Sequence, residues 1–267
     1  MSKSNVLQDK VAVIIGAAGN NNMGQVIARY MVDAGAQVLV AGRHAEELER
    51  FAGAINGSWA LCDITDQQQV NELFAVALER YGKVDIAVNA TGWGLLKPFL
   101  ETTEDELNRM QDLQFKGPFM FLQAAVNAMR SGGSIIQISS ATASIMFENH
   151  AAYMGTKAGI DHVVRCVANE FGERGIRANS ISPGLTDTPM TAEAKQVPGL
   201  FDAFIKGYPL GRIGTSEDIA EAAVWLASDA CFMTGQNLQV NGGLTLRANP
   251  LQSEINAAVE RTAHSQK

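Results

Sequence analysis

The chain has 267 residues, 46% of them hydrophobic, enough to bury one sizeable α/β core. Its net charge of −7 argues against nucleic acid or an anionic membrane surface as a partner. Cys62, Cys166 and Cys231 are few and widely spaced, which suits free thiols in a reducing cytoplasm, and no apolar stretch nears the ~20 residues that span a bilayer. The opening MSKSNVLQDK lacks the apolar core of a secretory signal. His44, His150, His162 and His264 have no metal-ligand spacing with one another or with the cysteines. A cytoplasmic protein without a metal site is the expectation.

In chain order, VAVIIG within Lys10–Gly16 reads as a parallel strand covered on both faces. Small and polar residues fill Ala17–Asn22, a helical pattern spans Met23–Ala34 and ends at Gly35, and Gln37–Ala41 is the second strand. Such a unit presents backbone N–H groups and a helix N-terminus to a diphosphate. Gly16 would allow the tight turn and Gly24 a close packing of helix on sheet. Gly42 and Arg43 follow; an acidic residue at that strand's end commonly bonds the adenosine ribose, whereas arginine suits a 2′-phosphate. Helix Ala45–Ala54 and strand Ser58–Leu61 lead to Asp63, for which capping of the helical segment Asp66–Tyr81 is the structural alternative. Val84–Val88 is a buried strand ending in Asn89-Ala90-Thr91-Gly92, and Gly92 permits close approach of backbone to a ligand. Thr103-x-x-Glu106 is a capping box opening a long helix to about Arg130, with Pro118 favouring a kink.

The run Ser134–Ile138 reads as a buried strand that brings Ser140 to its carboxyl end. Tyr153 and Lys157 then fall one turn apart on one helix face. A phenol with a pKa near ~10 exchanges protons poorly at neutral pH; a nearby ammonium favours the phenolate and brings it towards working range. A serine hydroxyl can polarise a carbonyl oxygen from a second direction. The plainer alternative is a surface Tyr–Lys pair. The helix continues to about Arg174 with Ile160, Val163, Val164 and Val167 on several faces. Strand Ala178–Ile181 precedes Pro183-Gly184-Leu185-Thr186-Asp187-Thr188. Pro189–Gly211, with Met190, Phe201, Phe204 and Tyr208, reads as a substrate lid. Helix Ser216–Ser228 and strand Asn237–Val240 close the core, and the tail at about 247–267 exceeds what the core needs, either covering a neighbouring subunit or mobile.

The Ser140, Tyr153 and Lys157 spacing, with the glycine-rich turn, resembles the classical short-chain dehydrogenase/reductase family over almost the whole chain. The resemblance implies a single-domain α/β fold, a doubly wound Rossmann-type parallel sheet of about seven strands flanked by helices. It also implies a homotetramer and hydride exchange between a nicotinamide cofactor and a ketone or secondary alcohol. In that frame Ser140, Tyr153 and Lys157 are catalytic, and Lys157 also binds the nicotinamide ribose. Asp63 contacts the adenine, Asn89 and Gly92 border the cofactor, Pro183 and Gly184 flank the nicotinamide, and Thr188 bonds its carboxamide or the diphosphate. Three departures stand out. The glycine loop reads GAAGNNNMG, so Asn22 and Met23 precede Gly24 where Gly-Ile would be usual; asparagine tolerates left-handed backbone. Ala90 replaces a second asparagine. Gln114 occupies the place of the family's fourth catalytic residue, an asparagine that steadies a helix kink and a water leading from the lysine to solvent.

Arg43 points to NADP(H). Trp93, Leu95, Leu96, Ile145, Met146, Phe147, Met190, Phe201 and Phe204 are candidate pocket walls, suggesting a bulky hydrophobic carbonyl compound. The alternatives are an NAD-linked oxidation of a diol, against which Arg43 speaks, and a nucleotide-binding sensor or scaffold, against which the intact Ser–Tyr–Lys set speaks.

Overall fold

The computed structural model describes residues 5–265. Its first half alternates β1 (Val11–Ile15), α1 (Met23–Asp33), β2 (Gln37–Gly42), α2 (Ala45–Ala54), β3 (Ser58–Leu61), α3 (Gln67–Tyr81) and β4 (Ile86–Asn89). Then come α4 (Glu104–Gln111), α5 (Gly117–Ala128), β5 (Gly133–Ile138), α6 (Ala151–Phe171) and β6 (Ile176–Pro183). The last part holds β7 (Thr186–Asp187), α7 (Ala192–Lys195), α8 (Leu200–Ile205), β8 (Gly214–Thr215), α9 (Ser216–Ala227), β9 (Asn237–Val240) and α10 (Gln252–Ser265). Seven parallel strands form one sheet in the order β3-β2-β1-β4-β5-β6-β9, and β7 and β8 make a separate short ribbon. The order reverses between β1 and β4, so their carboxyl ends frame the crevice where open α/β sheets bind ligands.

The unbroken apolar sequence of β1 follows from its position. Ala12 and Ile14 join one core layer with Ile27 and Met31 of α1 and Ala223 and Leu226 of α9. Val13 and Ile15 point the other way, to Phe74 of α3, Phe121 of α5 and Ile160 of α6. Successive side chains of a strand alternate faces, so a strand covered on both sides has no position left for a polar residue.

Two expectations need correction, and the capping alternative for Asp63 falls away. The long helix from Glu104 is divided: α4 ends at Gln111, Asp112–Lys116 form one π turn, and α5 begins at Gly117. There the Gly117 N–H donates to the Asp112 carbonyl five residues back. Pro118 sits in the first turn of α5, where a missing N–H is best tolerated. Asp66, not Asp63, caps α3, accepting from the N–H groups of Gln68 and Gln69. The tail folds onto its own chain: Ile255 and Ala258 of α10 pack with Phe204, Tyr208 and Leu244 in a third apolar cluster. Two polar ties reinforce it, from Asn249 Nδ2 to the Met146 carbonyl (3.1 Å) and from the Gln252 N–H to Glu148 Oε2 (2.7 Å).

Candidate active site

At the end of β1 the chain turns at Gly16, whose φ of +94° and close fit exclude a side chain: a Cβ there would lie 2.6 Å from the Ala90 carbonyl carbon. Gly24 fits as closely, with a Cβ position 2.6 Å from the Gly16 oxygen. Asn22 caps α1, its Oδ1 accepting from the Gln25 N–H (3.0 Å) and its Nδ2 donating to the Gly16 carbonyl (2.8 Å), ahead of Met23 at the first helical position. Asn22 itself is extended (φ −74°); Asn21, at φ 52°, takes the left-handed conformation expected of Asn22. Capping demands an extended residue, which moves the left-handed bend one residue earlier. Gln25, which sequence reasoning missed, braces the loop: it is buried, accepts from the Asn21 N–H, and donates to the Ala17 carbonyl and to Glu47. A glutamine on the buried face of an apolar helix was the available signal.

Asn89 closes β4. Its Nδ2 donates to Gln137 Oε1 (2.9 Å) on β5, and its Oδ1 accepts from the N–H and the hydroxyl of Thr91 (3.0 and 2.7 Å). The side chain therefore shapes the Ala90–Gly92 loop and is spent within the protein. Gln114, buried in the π turn, donates through Nε2 to the Trp93 carbonyl (3.2 Å) and meets Met110; its Oε1 has no protein partner. It ties the loop after β4 to the helix. Gln114→Asn shortens that reach by a methylene and frees the Trp93 carbonyl. Activity is expected to stay within about an order of magnitude of wild type or to rise, since one neutral hydrogen bond is at stake. Steady-state kcat checks this, and complete loss of activity would give Gln114 a chemical task.

Ser140 follows β5. Its Oγ accepts from the Thr142 N–H (3.2 Å) and shares a hydrogen bond with the Thr142 hydroxyl (2.9 Å), and it is near enough to the Tyr153 phenol to lower that group's pKa. Lys157, one turn along α6 from Tyr153, is 3% exposed and donates to the Ile138 carbonyl (2.9 Å), its Nζ 5.6 Å from the centre of the Tyr153 ring. Ser140, Tyr153 and Lys157 thus meet at one point. The electrostatics differ from expectation. Burial pushes the Tyr153 phenol up to about 12 and outweighs the nearby Ser140 hydroxyl, which lowers it. Burial likewise draws the Lys157 ammonium down to about 8, against the pull of Asp161. Desolvation penalises both charged forms, so the phenol stays protonated. Asp161 was not singled out from sequence; one turn beyond Lys157, it is buried and accepts from Ser139 Oγ (2.8 Å) and Asn237 Nδ2 (2.6 Å).

Pro183 ends β6, and the hydroxyl of Tyr208 crowds Gly184 while donating to the Leu185 carbonyl (3.3 Å). Thr188 opens the Pro189–Thr191 turn and its hydroxyl faces that of Thr191 (3.5 Å). Arg43, past β2, approaches Asp63 at 3.8 Å, while Asp63 also accepts from the N–H and hydroxyl of Thr65. The candidate pocket residues divide. Phe147 is wedged edge-on between His150 and Phe204 (ring centres 5.8 and 5.6 Å), and the Leu95 carbonyl meets His150. Phe204 belongs to the core beneath α10, Arg109 stacks on Trp93 (4.1 Å), and Met146 and Met190 are exposed.

A family model described as enoyl-(acyl carrier protein) reductase matches residues 16–245. The chain belongs to the classical short-chain dehydrogenase/reductase family. It is 35% identical to trans-4-hydroxycyclohexanecarboxylate dehydrogenase of Sinomonas cyclohexanicum, over 92% of this chain and 96% of that protein. With D-threitol dehydrogenase of Mycolicibacterium smegmatis the identity is 32%, over 90% and 95% of the two chains. A solved short-chain type dehydrogenase/reductase from Mycobacterium ulcerans superposes with a TM-score of 0.89 at 29% identity, covering 95% of this chain and 98% of that one. The protein is an oxidoreductase acting on CH–OH groups of small molecules with a nicotinamide nucleotide. The strand ends fit that cofactor: at Gly16 and Gly24 the crevice is lined by bare backbone, with the N-terminus of an eleven-residue helix opening onto it. Among the described residues no helix is long and apolar enough to cross a membrane.

Proposed function

We propose that this protein interconverts a ketone and a secondary alcohol with NADP(H), the chemistry being carried by Ser140, Tyr153 and Lys157. The supporting observation is the buried Lys157 Nζ 5.6 Å from the centre of the Tyr153 ring, with the Ser140 hydroxyl near enough to the phenol to lower its pKa. The backbone at Gly16–Gly24, Gly92 and Pro183–Gly184 would hold the dinucleotide, with Asp63 at the adenine, Thr188 near the carboxamide and Lys157 at the nicotinamide ribose. When bound, the nicotinamide supplies the hydride for reduction and takes it up in oxidation. Ser140 Oγ donates to the carbonyl oxygen and polarises it. Tyr153, held protonated at neutral pH, gives its phenol proton to that oxygen as the alcohol forms, and takes it back in the reverse direction. The Lys157 ammonium stabilises the phenolate left behind until solvent returns the proton. A bulky apolar substrate body lies against Phe147 and its neighbour Met146, with Met190 closing over it from the 189–211 lid side. Turnover of a panel of ketones with NADPH tests the reading.

Cofactor choice is assigned to Arg43, whose planar fork of donors suits a 2′-phosphate. A side chain at Gly42 is hindered, since its Cβ would lie 2.5 Å from that of Ala18; the ribose-binding carboxylate of NAD enzymes has no room there unless the loop shifts. NADPH should be preferred over NADH by roughly tenfold to a hundredfold, and Arg43→Ala should remove most of that preference. The measurement is kcat/KM for both cofactors in each protein; a wild-type preference for NADH overturns the assignment. The second reading, an NAD-linked diol oxidation, draws on the nearness of Asp63 to Arg43 and on the named activity of the D-threitol dehydrogenase. The same measurement separates the two. The cytoplasm is the proposed location. A homotetramer is the proposed assembly, formed through the apolar groove between α5 and α6 lined by Phe119, Val163, Val167 and Phe171; light scattering after size exclusion measures the mass.

A further inference from the structure

His150 lies three residues before Tyr153 and has no task in the mechanism above. Its imidazole stacks on the Tyr153 phenol, ring centres 4.2 Å apart and planes at 27°, and Phe147 meets it edge-on. Its Nδ1 lies 2.8 Å from the Leu95 carbonyl oxygen. A carbonyl oxygen only accepts, so Nδ1 carries the proton, and in the neutral ring Nε2 is left with a bare lone pair. Burial draws the pKa of His150 below its ordinary value, which keeps the ring neutral at neutral pH. Nε2 finds no protein partner among the described residues. The ring is thus locked in place by two aromatic neighbours and one hydrogen bond, with a single free acceptor beside the residue that meets the reacting oxygen. A half-buried acceptor in such a place selects for a ligand that brings a donor.

We propose that His150 Nε2 accepts a hydrogen bond from a second substrate hydroxyl, on the carbon next to the reacting one. The preferred substrates are then vicinal diols and their α-hydroxy ketones, with the apolar body on the Phe147 side. The inference deepens the reading of Tyr153 as the proton donor and depends on it for the placement of the reacting oxygen. It also explains why the stack is aromatic on both sides: the acceptor must be held still to discriminate.

The test uses matched pairs, trans-1,2-cyclohexanediol against cyclohexanol and 2-hydroxycyclohexanone against cyclohexanone, with the cofactor-loaded wild type, His150→Phe and His150→Gln. A site built to bond a hydroxyl rejects the analogue lacking it, so the wild type should favour the hydroxylated member of each pair in kcat/KM by about tenfold to a hundredfold. In His150→Phe, which keeps the stack and loses the acceptor, that ratio should fall to within about threefold of unity. His150→Gln, whose amide oxygen accepts, should recover part of it. A wild type without the preference, or a preference that survives in His150→Phe, overturns the proposal. Ligand-observed NMR of the diol on the NADP+-loaded protein separates the two levels. Diol binding that weakens about tenfold in His150→Phe without turnover in any protein leaves the subsite standing and overturns the proposed reaction. Turnover of both pair members without dependence on His150 leaves the reaction standing and overturns the subsite. Absence of both turnover and diol binding overturns both.

Discussion

Tyr153→Phe is expected to lower kcat by about 10²–10⁴, the usual contribution of a positioned acid–base group, while the protein stays folded and keeps its affinity for NADPH. The substitution removes one oxygen. The ring that stacks on His150 and lies beside Lys157 remains, so the packing of α6 is preserved. What is lost structurally is one buried hydroxyl near Ser140, a change of about 1 kcal/mol or less. What is lost chemically is the phenol proton that is handed to the substrate oxygen. Steady-state turnover together with a titration of NADPH fluorescence distinguishes these losses. A variant with near wild-type kcat would remove Tyr153 from the role of acid, and a variant that no longer binds NADPH would show that the phenol holds the cofactor.

Lys157→Met is expected to abolish measurable activity and, at neutral pH, to stabilise the fold. The Lys157 ammonium titrates near 8 in the folded protein against 10.5 for an ordinary lysine. Between those values the unfolded chain binds more protons, so this group makes stability rise as pH increases through that window. Below pH 8 the folded state carries the whole cost of the buried charge, about 3 kcal/mol. Methionine removes that cost but leaves the Ile138 carbonyl without its donor, a loss of about 1–2 kcal/mol. The net expectation is a gain of about 1–2 kcal/mol at pH 7 that shrinks above pH 8 and changes sign at about pH 9–10, leaving mainly the lost hydrogen bond by pH 10.5, where wild-type Lys157 is neutral in the folded state. Tyr153 has the opposite slope, since burial raises its pKa and the unfolded chain loses that proton first, but it is common to both proteins and cancels in the difference. Urea unfolding of both proteins at pH 7 and near pH 10.5 measures it. A Lys157→Met variant less stable than wild type at pH 7 would mean that the ammonium is solvated or paired more fully than its surroundings indicate.

Both expectations show where local sequence suffices and where it does not. The fully apolar β1, the Thr103–Glu106 capping box and the bounds of α2 and β3 are legible in the chain because each depends on neighbours within a few residues. The meeting of Tyr153 with Lys157 is legible for the same reason: the helix repeat alone puts them on one face. Ser140 is legible because an apolar strand must end where its burial ends. The assignment of Gly42 and Arg43 to the end of β2 likewise needed only strand length.

The rest was decided by contacts between distant segments. The π turn at Gln114 exists where the Gly117 N–H reaches back to Asp112 and the glutamine amide ties the helix to Trp93, twenty-one residues away in the chain. The docking of α10 depends on Glu148 receiving the Gln252 N–H across 104 residues, and no period in the tail encodes that partner. The phenol of Tyr153 goes up rather than down because its own burial outweighs the opposing effect of Ser140, and how many elements exclude water from it has no local signature in the sequence. Sequence by itself determined the parallel α/β fold and the residues that gather at its crevice, since periodicity and spacing are short-range properties of the chain. The tertiary structure alone decided which groups stay protonated, which polar atoms are spent within the protein and which, like His150 Nε2, are left free, because burial and pairing are properties of the assembled packing.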